Sequence, residues 1–253
     1  MKDRRRLFGL AFLALTFWRC DRPGASAVPL SSSRAASVLL FNGTGASTSD
    51  VAAIETLLEQ SGISYSTASS AQLDAMSAAR LRGYRLIIVP GGDFPRIGNN
   101  LRQSTTAKLR EAVGHGVSYL GICGGAFFAG RTPYNSLNLT AGVKFGFYSA
   151  EARGIRKMAV AIASPQSPPL DQYWEDGPQL SGWGAVVGKY PDGTPAVVQG
   201  NFGDGWVVLC GIHPEAPERW RRGLDFTTPA SVDNAYAVTL IRAALDRRPL
   251  PHF

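Results

Sequence analysis

The sequence predicts an α/β protein: a doubly wound, mostly parallel sheet with an antiparallel β insertion. Three observations carry this expectation. Apolar runs of strand length at Val38-Leu39-Leu40-Phe41, Leu86-Ile87-Ile88-Val89 and Val117 to Ile122 are of the kind that parallel sheets bury. Strand-like and helix-like patterns alternate around these runs, with glycine-bearing turns where they meet. Between about residues 131 and 205 the pattern changes to short strands separated by turns, which reads as an antiparallel extension.

The elements follow in order. Lys2 to Arg6, the apolar run Leu7 to Phe17, and the small residues Ala25-Ser26-Ala27 form the three parts of a secretory signal, with cleavage expected before Val28. The apolar run is shorter than the roughly 20 residues of a membrane-spanning helix. The expectation is therefore export, periplasmic or secreted, with no stable membrane span after cleavage. Arg5-Arg6-Leu7-Phe8 weakly resembles a twin-arginine signal, and the bulky Trp18-Arg19 before Cys20 argues against lipid attachment. Residues 28–36 read as a linker, and 37–253 as one domain.

The first strand, Val38 to Phe41, ends in the turn Asn42-Gly43-Thr44-Gly45. Ser47 or Ser49 is expected to cap a helix with apolar positions Val51, Ile54, Leu57 and Leu58, which Gly62 ends. Leu86 to Val89 leads into Pro90-Gly91-Gly92-Asp93. Ser104 is then expected to cap a helix through Leu109, Ala112 and Val113. Val117 to Ile122 runs into Cys123-Gly124-Gly125. In the extension, Met158–Ile162, Gly184–Gly188 and Ala196–Gln199 read as strands, with hairpin-type turns at Pro191-Asp192-Gly193 and Gly203-Asp204-Gly205. Trp206 to Cys210 is another buried strand, and Val232 to Arg247 an amphipathic helix.

The chain has 253 residues and a formal charge of +7, of which the stretch before residue 28 carries +4. With no basic stripe interleaved with aromatics elsewhere, nucleic-acid binding is not expected. Removal of the leader would leave two of the three cysteines, Cys123 and Cys210, too few for a disulfide framework. Cys210 reads as a core cysteine, with a redox link to Cys123 as the alternative. No His/Cys group has metal-ligand spacing, so neither a metal nor any other cofactor is expected.

Gly121-Ile122-Cys123-Gly124-Gly125 lies where a strand gives way to a helix, the position of a nucleophile elbow. The amides at a helix start present partial positive charge to a thiolate. Read alone, a small buried cysteine beside packing glycines fits equally well. A cysteine nucleophile needs a base, and a carboxylate to orient that base. Of the three histidines, only His213 follows a core strand, and Glu215 stands two residues on, across Pro214.

These residues resemble the class I glutamine amidotransferase-like superfamily, and within it the domain at the N-terminus of biotin protein ligases. The likeness runs through Phe41 to Gly45, Ile88 to Asp93, Tyr119 to Phe128 and Gly211 to Glu215, roughly residues 37 to 220. It implies a flavodoxin-like sheet, catalytic Cys123, His213 and Glu215, and an oxyanion hole from amides near Gly92 and Gly124. Glutaminases of this superfamily usually carry a glutamine four residues after the cysteine, to hold the substrate amide. Phe127 stands there instead, so glutamine is not the expected substrate. No ligase portion follows in this sequence, so biotin attachment is not expected.

Gly91, Asp93, Phe127, Tyr173, Trp174 and Glu175 are further candidates for the substrate pocket. Tyr173 to Pro178 reads as an aromatic-acidic loop or an ordinary surface turn. Asp93 and Arg96 offer either substrate orientation or helix capping. Asn42 to Gly45 lacks the third glycine of a dinucleotide loop and reads as a plain turn. The expected function is cysteine-dependent hydrolysis of a small amide or peptide. The alternative is a binding module for a ligand or protein that keeps the fold without turnover.

Overall fold

The computed structural model describes residues 36–253. The expected leader, Cys20 and residues 28–35 of the expected linker lie outside the described residues.

Strand β1 (Val38–Phe41) is followed by α1 (Thr48–Gln60), β2 (Tyr65–Ala68), α2 (Ser70–Ala75), α3 (Ala78–Arg82) and β3 (Leu86–Val89). Then come α4 (Phe94–Asn99), α5 (Gln103–Gly114), β4 (Ser118–Ile122) and α6 (Gly124–Ala129). The extension holds β5 (Gly146–Phe147), α7 (Ser149–Ala152), β6 (Lys157–Ser164), β7 (Ser167–Glu175), β8 (Pro178–Gln179), β9 (Ala185–Lys189) and β10 (Pro195–Phe202). Strand β11 (Gly205–Cys210), α8 (Glu218–Arg221) and α9 (Ala230–Asp246) complete the chain.

The main sheet has the order β2-β1-β3-β4-β11-β10-β9-β6-β7. Its first five strands are parallel, in the spatial order of flavodoxin-like folds. Strands β10, β9, β6 and β7 add antiparallel pairs, the β9–β6 link resting on Ala163 and Lys189 alone. A separate two-stranded ribbon joins β5 to β8.

Strand β1 shows why the run is apolar throughout. Val38 and Leu40 pack with Ile54 and Leu58 of α1 and Leu240 of α9, while Leu39 and Phe41 point to the other face, toward Leu73, Leu81 and Leu109. Successive side chains alternate across a strand, so a strand covered on both sides needs apolar residues at every position.

Helix α1 begins as expected, with Ser47 accepting from the Asp50 amide, and Gly62 takes a positive φ of 64° just past its end. Helix α5 does not. Its N-cap is Arg102 with no side-chain cap bond, and Ser104 stands exposed in the first turn. Asp74 of α2 replaces the local cap, accepting from the Arg102 amide at 3.2 Å and the Thr105 hydroxyl at 2.6 Å.

The segment expected as a loop from Tyr173 is also different, because β7 continues through Glu175. The end of β7 folds back to the main sheet's carboxyl edge, where the His213 amide donates to the Tyr173 carbonyl at 2.8 Å. Among the described residues no helix is long and apolar enough to cross a membrane.

Candidate active site

The turns after β1, β3, β4 and β11 converge at one edge of the sheet, outside the carboxyl ends of the strands, where α/β folds of this order present ligand sites. A cleft of about 890 Å³ opens there, with Cys123, His213, Gly92 and Phe127 in its lining.

Cys123 adopts φ 47° and ψ −106°, a rare conformation for a residue with a Cβ. Such backbone costs on the order of 1–3 kcal/mol and persists only where its surroundings enforce it. The enforcement is visible in the glycines. A Cβ on Gly125 would run into the Val89 carbonyl, one on Gly121 into the Gly125 carbonyl, and one on Gly124 into the Gly92 carbonyl. The Cys123 amide donates to the Cys210 carbonyl at 2.7 Å, tying the elbow to β11. The thiol faces the Glu175 carbonyl at 3.5 Å. Both Cys123 and Cys210 are free and buried.

Gly92 has φ 137°, which only glycine adopts readily, and its backbone abuts Gly124. Among the described residues neither amide donates to a protein acceptor. Two adjacent unclaimed amides beside a cysteine elbow can receive charge developing on a carbonyl oxygen.

His213 is buried, and its Nδ1 lies 2.9 Å from Glu215 Oε1 and 3.1 Å from Asp50 Oδ1. Burial disfavours the imidazolium, but the negative charges of Cys123, Glu215 and Asp50 outweigh it and hold His213 well above the usual imidazole range. The two carboxylates differ. Burial pushes Asp50 up, yet His213 and the Ser47 hydroxyl, 2.5 Å away, bring it below the ordinary carboxylate value. Glu215 is enclosed with Oε2 unpartnered, and burial raises it despite His213.

Asp50, His213 and Glu215 each place one potential ligand atom within 4.8 Å of the others, a cluster that sequence spacing did not reveal. Nδ1 is already in hydrogen-bond contact with both carboxylates, so a cation there would displace that proton.

The structure brings Cys123, His213, Gly92, Asp93, Phe127, Tyr173 and Glu175 to the cleft. Glu215 stands outside its lining and Gly124 at the elbow. Two expected pocket residues fall elsewhere. Trp174 is fully buried and donates to the Gly177 carbonyl, because strand alternation turns it away from the face of Tyr173 and Glu175. Gly91 does not line the cleft. It leaves room for the Asp50 carboxylate and the His213 ring, which a Cβ would strike. Asp93 caps α4 through the Arg96 amide at 3.1 Å while also facing the cleft.

Asp50 escaped the sequence reading, although it falls four residues before Ile54 on the buried stripe of α1, and a carboxylate on an apolar stripe is a readable signal. Phe94, Phe147, Arg219 and Trp220 also face the cleft, with no comparable signal in their neighbours.

The sheet order and the cysteine elbow define a glutamine amidotransferase-like α/β fold. A crystal structure of a glutamine amidotransferase superposes with a TM-score of 0.58 at 19% identity, covering 81% of this chain and 98% of that one. A glutamine amidotransferase from Thermotoga maritima gives 0.52 at 13% identity, covering 83% and 96%. Residues 36–156 match the family described as biotin-protein ligase, N terminal. A biotin–protein ligase of Schizosaccharomyces pombe is 26% identical over 163 residues, 51% of this chain and 25% of the ligase. This chain thus spans about a quarter of that relative's length. The chain therefore has a glutamine amidotransferase-like α/β fold, and its residues 36–156 are similar to the biotin-protein ligase N-terminal family.

Proposed function

We propose that this protein is a cysteine-dependent amide hydrolase. The observation that carries the reading is the strained Cys123 elbow sharing a cleft with a histidine whose Nδ1 is held by two carboxylates. In this reading the Cys123 thiolate attacks the acyl carbon, forming an S–C bond and moving the carbonyl electron pair onto oxygen. The Gly92 and Gly124 amides receive that charge. Collapse breaks the C–N bond as His213 Nε2 delivers a proton to the departing amine. Water then attacks the thioester, giving a proton to His213 and releasing a carboxylic acid and the thiolate. Glu215 and Asp50 act as positioning residues, fixing the ring and stabilising its protonated state.

The test is alkylation of Cys123 followed by mass spectrometry. The expected result is a rate at neutral pH well above that of a small-molecule thiol, lost in His213→Ala. A silent thiol in the folded protein would overturn the proposal. It would favour the second reading, a binding module, which Phe127 in place of an amide-holding glutamine supports.

The reading extends to an exported enzyme, supported by the signal-like segment 1–27. Expression in a bacterial host should give protein beginning at Val28 outside the cytoplasm. Retention of Met1 on a cytoplasmic product would refute export.

A further inference from the structure

The walls of the cleft carry more information than the hydrolase reading uses. On the cysteine side, Phe127 lies one helical turn beyond Cys123, where its ring stacks on Phe94 with centroids 4.6 Å apart and an interplanar angle of 19°. Phe147 closes on Phe127 at 4.9 Å, and Tyr134 on Phe94 at 5.9 Å. Of these, Phe147 is 44% and Tyr134 41% exposed, whereas most large apolar side chains of the described residues are covered. A run of aromatic rings thus leads from solvent to the thiol, and such rings favour planar or large apolar groups.

The histidine side differs. The Trp220 ring meets His213 edge-on at 6.0 Å, and α8 presents Arg219 and, just beyond it, Arg222 to the cleft. Among the described residues neither arginine has a carboxylate within ion-pair distance, whereas their neighbour Arg221 is paired with Asp233. The acids of the cleft are already engaged. Asp176 pairs with Arg156 at 2.5 Å, Glu175 accepts from the Tyr173 hydroxyl at 2.6 Å, and Asp93 caps α4. Beside His213, Arg219 and Arg222 are thus cations without an ionic partner among the described residues.

The chemistry orients a substrate between these walls. The acyl group stays on Cys123, beside Phe127, while the leaving amine must face His213 to take its proton, beside Trp220 and the arginines. Resting on the hydrolase reading, we infer that the substrate is a small amide with an aromatic or large apolar acyl group and a carboxylate on the amine side. An N-aryl-acyl amino acid represents the class. Hydrolysis gives an aryl-acyl carboxylic acid and a free amino acid, with water as the only co-reactant.

The test compares three amides on the purified full chain: N-phenylacetyl-glycine, N-acetyl-glycine without the ring, and N-phenylacetyl-glycinamide without the carboxylate. The first should exceed each of the others in kcat/KM by about tenfold, a step of the size that one aromatic or charge-assisted contact provides. Phe127→Gln should erase the ring preference. Replacing both Arg219 and Arg222 by Ala should erase the carboxylate preference, bringing kcat/KM for N-phenylacetyl-glycine down to that for N-phenylacetyl-glycinamide.

Equal turnover of all three amides overturns this inference but leaves the hydrolase reading standing. A Cys123 that neither alkylates nor turns over any amide overturns the hydrolase reading. The same three compounds are then titrated by calorimetry onto Cys123→Ser. Preferential binding of N-phenylacetyl-glycine supports the specificity of the cleft, and no binding or no preference overturns it.

Discussion

The parallel and antiparallel halves of the sheet build the cleft in different ways. The parallel half supplies Cys123, Gly92, Gly124 and His213 from strand ends, and α1 adds Asp50. It holds them through contacts so close that Gly91, Gly121, Gly124 and Gly125 have no space for a Cβ, against side chains at Gly91 and against backbone at the other three. The extension supplies Phe147 from the two-residue β5 and Tyr173 and Glu175 from the end of β7, while α8 and the residue after it add the exposed Arg219 and Arg222. Reacting groups need fixed geometry, so they sit where the backbone is over-determined. Walls that select a substrate tolerate change, so they sit where it is not.

The largest test of this contrast is on chemistry. Cys123→Ala and His213→Ala are each expected to cut turnover by roughly 10³-fold or more, while Arg219→Ala changes it by about tenfold or less and only for anionic substrates. Equal losses would erase the division between the halves.

Next comes the pair of carboxylates. Glu215→Gln is expected to lower kcat by roughly 10²-fold, within the range that acid–base assistance contributes, by presenting the wrong partner to Nδ1. Asp50→Asn should cost less in kcat but shift the acidic limb of the pH–rate profile. Asp50 is held below the ordinary carboxylate range, so the stability it contributes is present above its unfolded value and lost as the pH falls through its folded one. Urea unfolding of wild type and Asp50→Asn should therefore converge below about pH 4.

The glycines give a third test. Gly125→Ala is expected to lower stability by about 1–3 kcal/mol, because the added methyl meets the Val89 carbonyl. Gly146→Ala in β5, whose nearest neighbour would be Gln179 Nε2 at 3.8 Å, should stay within about 0.5 kcal/mol. Denaturation midpoints would sharpen the contrast, and equal losses would remove it.

The smaller effects are in pH dependence. His213 is raised in the folded protein, so the stability from its charge is complete below about pH 6.5 and fades as the pH rises through the folded value. The stability gap between wild type and His213→Ala should narrow on alkalinisation. In the other region, burial pushes Asp233 up to about 6 beside Arg221. Stability should thus fall slightly as the pH rises from about 4 to 6, and Asp233→Asn should flatten that slope.

The fold was readable because its signals are local and periodic. Apolar runs such as Leu86 to Val89 cannot alternate when both faces are covered, and Ser47 announces α1 within one turn. The elbow was readable for the same reason, since Gly121, Gly124 and Gly125 flank Cys123 in the chain. The expected Ser104 cap failed because a tertiary contact from Asp74 took over that helix start. The placement of Trp174 in the pocket failed because the segment is a strand, and alternation sends neighbouring side chains to opposite faces.

The sequence by itself determined the alternating strands and helices, the cysteine elbow and the pairing of His213 with Glu215, all set by residues within a few positions of one another. Only the tertiary structure decided that Asp50 becomes a second partner of His213, and that Phe94, Phe147 and Trp220 wall the cleft. Those residues come from segments far apart in the chain. The sheet order β2-β1-β3-β4-β11 brings the turns after β1, β3, β4 and β11 to one edge, and the returning end of β7 seals it through the bond from His213 to Tyr173. Periodicity specifies which face of an element is buried. Which distant element covers that face depends on the packing of the whole chain.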